Sequence, residues 1–299
     1  MIGVFFTSVP EQAENDIAED SRLRVFLSVF FRNRMAVIGV CILVLMLCAA
    51  IFAPLITSFE YDEQDLLASL EWPSREHIFG TDEFGRDIFT RVVYAGRISV
   101  AVGVISVAIG MSFGGVLGAV AGFYGGAADE IAMRCVDVLL AIPSILFAIA
   151  IAASLGPGLF NMILAVGISS IPYYARILRS SAMSVREQEF IEASRAVGSS
   201  NIRILFRHVI PNCLAPIIVQ GTLGVADGIL YAAALSFIGL GIQPPTPEWG
   251  GMLSGGRSFI RDYSYMTLFP GLAIVLTILA LNFVGDALRD ALDPKLRDR

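Results

Sequence analysis

The sequence predicts an all-α polytopic membrane protein with six transmembrane helices. Of its 299 residues, 56% are hydrophobic and only 16% are charged, whereas in soluble domains about a quarter of the residues are charged. This excess of apolar residues is too large for one buried core, so a lipid bilayer is the expected solvent. The net charge of −6 argues against nucleic acid as a partner. The four cysteines fit neither a disulfide framework nor a metal site.

Residues 1–34 are predicted to form a cytosolic tail and a helix at the membrane surface. The start of the chain turns acidic and has no basic region of the kind that begins a secretory signal peptide. The stretch RLRVFLSVFFRNR at 22–34 then mixes arginines with Phe26, Phe30 and Phe31. Arginine and phenylalanine together are typical of a helix that lies in the interface and leads into a span.

Six segments are apolar enough to cross the hydrocarbon layer, for which a helix needs about 20 residues. The first is 35–56, and a periplasmic loop at 57–97 separates it from a five-helix core at 98–285. The spans of the core are predicted at about 98–122, 131–155, 160–175, 212–241 and 263–285. Gly156-Pro157-Gly158 separates the third from the fourth, because glycine and proline interrupt a helix. Residues 286–299 are predicted to form a second cytosolic tail.

Lysine and arginine are distributed unequally between the predicted sides of the membrane. If the N-terminus is cytosolic, the inner loops and tails carry fifteen of these residues and the outer loops carry six. The side with more positive charge is normally the cytosolic one. The sequence therefore predicts that both termini, and the polar segment 184–211 between spans four and five, lie in the cytosol.

Two motifs lie in the predicted external loops. In GTDEFGRD at 80–87, two glycines allow tight turns and Asp87 is placed to cap the helix that follows. In QPPTPEWG at 243–250, three prolines stiffen the backbone and Trp249 is predicted to anchor the chain at the membrane interface. The first loop is expected to fold over the outer mouth as a structural lid.

A glycine occurs at every fourth position of span two and just beyond it. These residues are Gly110, Gly114, Gly118, Gly122 and Gly126. They share one helical face and allow another backbone to approach closely. We therefore expect tight helix packing along this face, within this chain or against a sibling chain, rather than a pore-lining role.

The segment 184–211 is predicted to form two short helices with apolar sides. Gly198 can adopt a positive φ and end the first helix, Ser199 or Ser200 can cap the second, and Pro211 ends it. The apolar residues are Val185, Phe190, Ile191, Ala193, Ala196 and Val197 in the first helix, and Ile202, Leu205, Phe206 and Val209 in the second. A DNA-binding helix-turn-helix is disfavoured by the acidic chain and the flanking spans. A docking element for a cytosolic partner explains the apolar side, the basic side and the turn together.

The same segment resembles the EAA loop of permeases from binding-protein-dependent ABC importers. The pattern is E-A-A, three residues, Gly, and a Pro thirteen residues further on; here it reads Glu192, Ala193, Ser194, Gly198 and Pro211, with Ser194 replacing the second alanine. Four strings resemble the C-type subunit of dipeptide, oligopeptide and glutathione importers. They are GTDEFGRD at 80–87, MRCVDVLLAIP at 133–143, QPPTPEWG at 243–250 and GDALRDALDPK at 285–295.

This resemblance implies a type I ABC importer permease fold that forms half of a transmembrane pore in the bacterial inner membrane. The implied partners are a sibling B-type permease subunit, two ATP-binding cassette subunits and an external peptide-binding protein. The EAA loop would form coupling helices that seat on an ATPase, and the chain itself would carry no cofactor. ATP and Mg²⁺ would be bound by the ATPase subunits, because the single lysine, Lys295, follows Asp293-Pro294 and cannot complete a Walker A loop.

Three charged residues of the predicted spans invite separate interpretations. Arg134 and Asp137 are three residues apart and are expected to form a structural ion pair at the cytosolic face. Asp227 falls in the middle of span five, where an ionised carboxylate costs about 2.5–3.5 kcal/mol. It should face the bundle interior or a wet cavity. It either attracts the ammonium group of a peptide or hydrogen-bonds a neighbouring helix, and the sequence leaves both interpretations open.

Three alternatives compete with a peptide importer permease. The same permease type also serves nickel and other small solutes. A secondary transporter often has several intramembrane ionisable residues and internal repeats, whereas here Asp227 is alone and no repeat is apparent. A non-transporting membrane scaffold would not need an ordered docking loop. No metal site is expected, since the two histidines, His77 and His208, are far apart in sequence and form no HExxH motif.

Overall fold

The computed structural model describes residue 24 and residues 26–292, and these residues form helices joined by loops. The acidic tail, and Lys295 with its neighbours, lie outside the described residues. The longer helices are α1 Arg34–Ile51, α3 Ile88–Tyr124, α4 Gly126–Leu140, α5 Ser144–Leu155, α6 Leu159–Arg186, α10 Leu214–Phe237 and α12 Tyr265–Leu292. The shorter ones are α2 Ala53–Ile56, α7 Glu189–Ala196, α8 Asn201–Ile204, α9 Ile210–Asn212 and α11 Trp249–Gly256. Residues 26–32 are also helical.

Four helices, α1, α3, α10 and α12, are long and apolar enough to cross a membrane, and α4 with α5 would make a fifth if the bent pair is one span. The remaining predicted span corresponds to α6, which has 28 residues but is more polar than the others. All six predicted segments are therefore helical. The number six is plausible but is not fixed by length and composition.

The third predicted span is not a straight helix. It begins earlier than predicted, at Gly126, and α4 and α5 meet at an angle of 87° across residues 141–143. Pro143 explains the break, because its ring disfavours helical geometry at the preceding residue and it has no N–H to donate. α5 therefore begins at Ser144 with a new direction.

α3 and α6 share the most extensive helix contact in the bundle, and four glycines make it possible. A Cβ atom built on Gly110 would lie 2.0 Å from Ser170 Oγ, and one on Gly118 would lie 2.1 Å from the Ala175 carbonyl oxygen. Gly114 and Gly122 face the carbonyl oxygens of Ile171 and Arg179 at 2.4 and 2.5 Å in the same way. This face is thus filled by α6 of the same chain. Gly126 lies beyond α3 with open space around it.

The helical segment 26–32 packs against the end of α12. Phe30 is buried in a cluster with Ala36, Ala287 and Ala291, whereas Phe31 is 54% exposed. The segment predicted to lie in the membrane interface therefore has one side held by this chain and one side free for lipid.

Residues 57–87 and 238–264 fold together at one end of the bundle, and we call them the loop layer. Asp87 caps α3 by accepting a hydrogen bond from the Thr90 N–H at 2.7 Å, and its other carboxylate oxygen lies 3.0 Å from His77 Nδ1. Trp249 is 1% exposed and donates from Nε1 to the Val92 carbonyl oxygen at 2.9 Å. The prediction that Trp249 is an interfacial anchor is therefore wrong, because the side chain is buried in a cluster with residues of α3 and α10.

α3 begins ten residues before the predicted start of span two. The helix predicted to follow Asp87 is continuous with span two, and backbone oxygens accommodate two of its arginines. Arg91 Nη1 donates to the carbonyl oxygens of Tyr61 at 2.7 Å and Pro245 at 3.2 Å, and Arg97 Nε donates to that of Ala50 at 2.5 Å. Since these guanidinium groups have acceptors, the helix extends through the loop layer without a break.

Candidate functional site

The polar segment between α6 and α10 forms a helical hairpin, residues 189–212, at the end of the bundle opposite the loop layer. Gly198 follows α7 with φ +82°. Its N–H donates a hydrogen bond to the Arg195 carbonyl oxygen at 2.9 Å, and the Ser199 N–H donates to the Ser194 carbonyl oxygen at 3.1 Å. This pair of bonds is the Schellman arrangement that ends a helix at a left-handed glycine. The turn predicted at Gly198 is present, and it fixes the angle between α7 and α8.

The second helix of the hairpin starts at a serine cap and continues beyond its proline. Ser200 Oγ accepts a hydrogen bond from the Arg203 N–H at 3.4 Å. α8 then passes into a π-helical turn, Leu205–Val209, before α9. Pro211 lies at the start of α9 and does not end the helical run, contrary to the prediction. A proline has no N–H to donate to the carbonyl oxygen four residues earlier. In the π turn just before it, the hydrogen bonds span five residues, and the Ile210 N–H donates to the Leu205 carbonyl oxygen.

The inner side of the hairpin is part of a core shared with the ends of α3 and α6. Five hairpin and neighbouring residues, Ile191, Ile204, Leu205, Val209 and Cys213, are each at most 4% exposed. They pack in one cluster with Ala119, Phe123, Leu178, Ala182 and Ile217. The Arg195 guanidinium also lies 5.7 Å from the centre of the Phe123 ring. The hairpin is therefore attached to the bundle by a continuous apolar contact.

The outer side of the hairpin exposes large apolar side chains. Phe190, Val197, Ile202 and Phe206 are 43%, 82%, 66% and 63% exposed, and we call these four residues the hairpin surface. The sequence had assigned Ile202, Leu205, Phe206 and Val209 to one apolar side, but the structure divides them between the inner core and this surface. Charged residues surround the surface, since Glu192, Arg195, Arg203 and Arg207 are all exposed.

The predicted ion pair between Arg134 and Asp137 is not formed. Asp137 pairs with Arg176 of α6, and Arg134 approaches Glu130 one turn earlier, at 4.0 Å. The reason is that α6 runs beside α4 and presents its own arginines to the carboxylates of α4. The sequence could not indicate this partner, because it is 39 residues away.

A second pair joins α4 and α6 at the same end. Arg179 Nε and Nη2 donate to the two oxygens of Asp129 at 2.6 and 2.8 Å. Asp129 lies at the polar start of α4, before its apolar residues, and the hydrogen bonds from Arg179 lower its pKa. These two inter-helix pairs tie both ends of α4 to the C-terminal half of α6.

Asp227 lies near the middle of α10 and faces a cavity of about 190 Å³. The cavity is lined by Ser106, Val107, Ser144, Val166, Ser170, Tyr173, Tyr174, Gly224, Asp227, Gly228 and Tyr231. The sequence analysis missed the three tyrosines. Tyr231 follows Asp227 by one helical turn, and this spacing was the available signal.

Within the described part of the chain, no group of three or more histidine, cysteine, aspartate or glutamate side chains could hold a metal ion. A docking surface on the hairpin and a polar cavity beside α10 are two sites that the geometry offers.

Comparison with known proteins identifies the family. Residues 114–298 match the model of the binding-protein-dependent transport system inner membrane component, and residues 21–73 match that of the N-terminal transmembrane domain of oligopeptide transport permease C. The resemblance inferred from the EAA pattern is thus confirmed at the level of the family.

Curated relatives cover nearly the whole chain. A dipeptide transport system permease protein of Alkalihalophilus pseudofirmus is 52% identical over 89% of this chain and 88% of its own length. A di/tripeptide transport system permease protein of Pseudomonas aeruginosa is 43% identical, with coverages of 93% and 94%. A glutathione transport system permease protein of Escherichia coli is 46% identical, with coverages of 90% and 89%.

The fold has a counterpart among solved structures. An inward-facing form of the MetNI methionine ABC transporter aligns with a TM-score of 0.58 over 69% of this chain and 98% of the matched chain, at 18% identity. At this identity the likeness concerns the fold alone. The family match and the relatives show that this chain belongs to the binding-protein-dependent transport system inner membrane components and is a permease subunit of an ABC importer, not an enzyme.

Proposed function

We propose that this chain forms one half of the transmembrane pathway of an ATP-driven importer for small peptides. The other half is a sibling B-type permease subunit, two ATP-binding cassette subunits hold ATP and Mg²⁺, and an external binding protein delivers the peptide. The observation that carries the proposal is the hairpin. It joins a rigid inner core to an exposed apolar surface, which is the combination a docking element needs.

The hairpin supports a coupling role for Glu192, Ala193, Ser194, Gly198 and Pro211. An exposed apolar patch with a polar rim marks a protein interaction site when it lies outside the membrane. The core that holds the hairpin also contains residues of α3 and α6. A push on the hairpin surface is therefore transmitted to two long helices of the bundle rather than to a loose loop.

The peptide class follows from the relatives. The three described above transport dipeptides, di- or tripeptides and glutathione by name. Glutathione is the second candidate, because that relative is 46% identical over nine tenths of this chain. Uptake of labelled dipeptides and glutathione by the reconstituted complex separates the two. The ligand that the partner binding protein retains on purification gives an independent answer.

Transport would proceed by alternating access. ATP brings the two ATPase subunits together, the coupling hairpins move with them, and the helices rock so that the pathway opens to the outside. The binding protein then releases its peptide. Hydrolysis returns the pathway to the cytosolic side. In this scheme the cavity beside Asp227 lies on the substrate path.

We further propose that the loop layer is periplasmic and that the hairpin and both termini are cytosolic, in the inner membrane of a bacterium. This assignment rests on the fifteen-to-six distribution of lysine and arginine. It corresponds to a cytosolic segment at 1–34, a first span at 35–56, a periplasmic loop at 57–97, a core at 98–285 and a cytosolic tail at 286–299.

Cysteine labelling tests the orientation. Leu67 is 97% exposed in the loop layer and Ser184 is exposed at the hairpin end. In a chain without its native cysteines, a membrane-impermeant maleimide should label Leu67→Cys in intact cells. Ser184→Cys should react only after the cells are permeabilised. The reverse pattern would place the hairpin outside and remove the coupling proposal.

Co-purification tests the assembly. A tagged chain should bring the ATPase subunits with it from solubilised membranes, whereas a secondary transporter or a scaffold should not. If no ATPase accompanies the chain, the role of the hairpin as a docking element is wrong.

A further inference from the structure

Asp227 is an unpartnered carboxylate in an apolar helix. Within the described residues it has neither a hydrogen bond nor an ion pair. Asp129 and Asp137, by contrast, each form an ion pair with an arginine of α6. An ionised carboxylate at this depth costs about 2.5–3.5 kcal/mol, and such groups usually pair within the protein or line a path for ions or substrates. No other described residue therefore supplies a counter-charge to Asp227.

The cavity around Asp227 offers no cationic side chain to replace that partner. Two of its hydroxyls are already committed, since Ser106 Oγ donates to the Ile163 carbonyl oxygen and Ser170 Oγ to that of Gly167. The Tyr173 hydroxyl donates to Gln220 Oε1 at 2.8 Å. No lysine, arginine or histidine lines the cavity. The carboxylate is thus open to a ligand that brings its own positive charge.

The walls of the cavity favour an organic cation over a metal ion. Three tyrosine rings line it, and the faces of aromatic rings attract ammonium groups. A metal ion would need several oxygen or nitrogen ligands, whereas Asp227 is the only acidic side chain in the lining.

Close helix packing shapes the cavity on the side of α3. A Cβ atom on Gly228 would lie 3.2 Å from Gly103 Cα, so α3 and α10 touch beside Asp227 and leave no room for a further side chain. The volume of about 190 Å³ accommodates the amino end of a peptide with a short side chain, and not a whole peptide.

We propose that this cavity is a transient binding site for the primary ammonium group of the transported solute, with Asp227 as its counter-ion and the rings of Tyr173 and Tyr231 beside it. The inference rests on the proposed function, because it takes the cavity to lie on the transport path. It also extends that function. The permease itself, and not only the binding protein, prefers substrates with a free amine, and N-acylated or anionic solutes pass it poorly.

Charge-selective labelling tests the site without any transport. In the reconstituted complex, with the native cysteines of this chain replaced, Ser144→Cys places a thiol in the cavity lining. Its reaction rates are measured with aminoethyl methanethiosulfonate, which carries a primary ammonium, and with the sulfonatoethyl reagent, which is anionic. The ratio of the two rates reports the charge that the thiol experiences.

Asp227→Asn should lower this ratio about tenfold, because it removes the one acidic side chain that lines the cavity. Asp290→Asn is the matched control, since Asp290 is exposed at the end of α12 and does not line the cavity. It should leave the ratio unchanged. An equal ratio in the wild-type and Asp227→Asn proteins would refute the ammonium site.

Uptake measurements supply the second readout. With saturating wild-type binding protein, uptake of a free-amine dipeptide per ATP hydrolysed should fall about tenfold in Asp227→Asn. Asp227→Glu should restore most of it, and Asp290→Asn should not change it. Equal uptake in Asp227→Asn and wild type contradicts the inference. If the wild-type complex transports no peptide at all, the proposed substrate class fails, and the labelling ratio still decides whether the cavity selects ammonium groups.

Discussion

The loop layer and the hairpin lie at opposite ends of α3 and differ in the exposure of their charged residues. Six ionisable side chains in the loop layer and at the start of α3 are at most 6% exposed: His77, Asp82, Arg86, Asp87, Arg91 and Glu248. Each has a hydrogen-bond partner inside the layer or at its edge. At the hairpin the charged residues are exposed, and so are four large apolar side chains.

The difference indicates which end is complete in the isolated chain. A buried charge is strongly destabilising when its partner is missing, and the loop layer and the start of α3 supply these partners from within the chain. The hairpin leaves apolar area in water, which a second protein can cover. We therefore expect changes in the loop layer to reduce stability with or without partners. Changes on the hairpin surface should become visible only when the ATPase is present.

The largest effect is expected from Asp82→Ala in the loop layer. Asp82 Oδ2 accepts from Arg86 Nε at 2.6 Å, and Oδ1 accepts from the backbone N–H groups of Phe84 and Arg86. Removing it leaves buried guanidinium groups without their counter-ion and should cost about 3–5 kcal/mol. Thermal unfolding of the detergent-solubilised subunit measures this loss, and the exposed Asp62→Ala is the control. Equal unfolding temperatures for the two variants would show that the loop layer is not held together by its buried charges.

Gly198→Val tests the turn of the hairpin. Gly198 has φ +82° with open space around it, so the effect is conformational and not steric. A left-handed conformation costs a side-chain-bearing residue about 1–2 kcal/mol, and a β-branched residue fits it especially poorly. The ATPase should keep some basal hydrolysis but lose stimulation by loaded binding protein, together with transport.

Gly198→Asn is the matched control, because asparagine tolerates this conformation. It should retain stimulation and transport. Normal transport by Gly198→Val would mean that the angle between α7 and α8 does not matter for coupling.

Phe206→Ala sharpens the comparison, because it removes an exposed ring and should not affect the fold of the isolated chain. The side chain is 63% exposed, and burial of such a ring in an interface contributes about 1–2 kcal/mol. We expect the affinity for the ATPase subunits to fall about tenfold, with an unchanged unfolding temperature of the free subunit. Phe113→Ala, which removes a ring that is 66% exposed on α3, should leave this affinity unchanged. A matching loss in both variants would remove the distinction between the hairpin surface and the lipid-facing surface.

Glu192→Ala should have the smallest effect. Glu192 is exposed, and a rim ion pair contributes less than about 1 kcal/mol. ATPase affinity should therefore fall less than about fivefold. A larger loss than that of Phe206→Ala would show that charge, and not apolar area, dominates docking.

Local rules predicted much of the hairpin and of the spans. Gly198 and Ser200 act on neighbouring backbone groups, so their positions in sequence were sufficient to locate the turn and the cap. The glycine spacing in α3 likewise indicated a close contact. The sequence left open whether the partner of that face belonged to this chain, because spacing describes only one of the two surfaces.

Features that depend on distant residues were not predictable in this way. Arg176 replaces Arg134 as the partner of Asp137 because α4 and α6 lie side by side. The hydrogen-bond acceptors of Arg91, the carbonyl oxygens of Tyr61 and Pro245, are 30 and 154 residues away in the chain. The cavity at Asp227 is lined by four helices, α3, α5, α6 and α10, and of its three tyrosines only Tyr231 shares a helix with the carboxylate.

The uninterrupted length of α3 has a mechanical consequence. With 37 residues it is a rod of about 55 Å, with Asp87 at one end and Phe123 of the hairpin core near the other. A tilt of only about 5° about one end displaces the far end by about 5 Å, close to one helical turn. Small angular changes imposed at the hairpin would thus be enlarged into movements of the loop layer that are wide enough to open or close a passage for a small molecule.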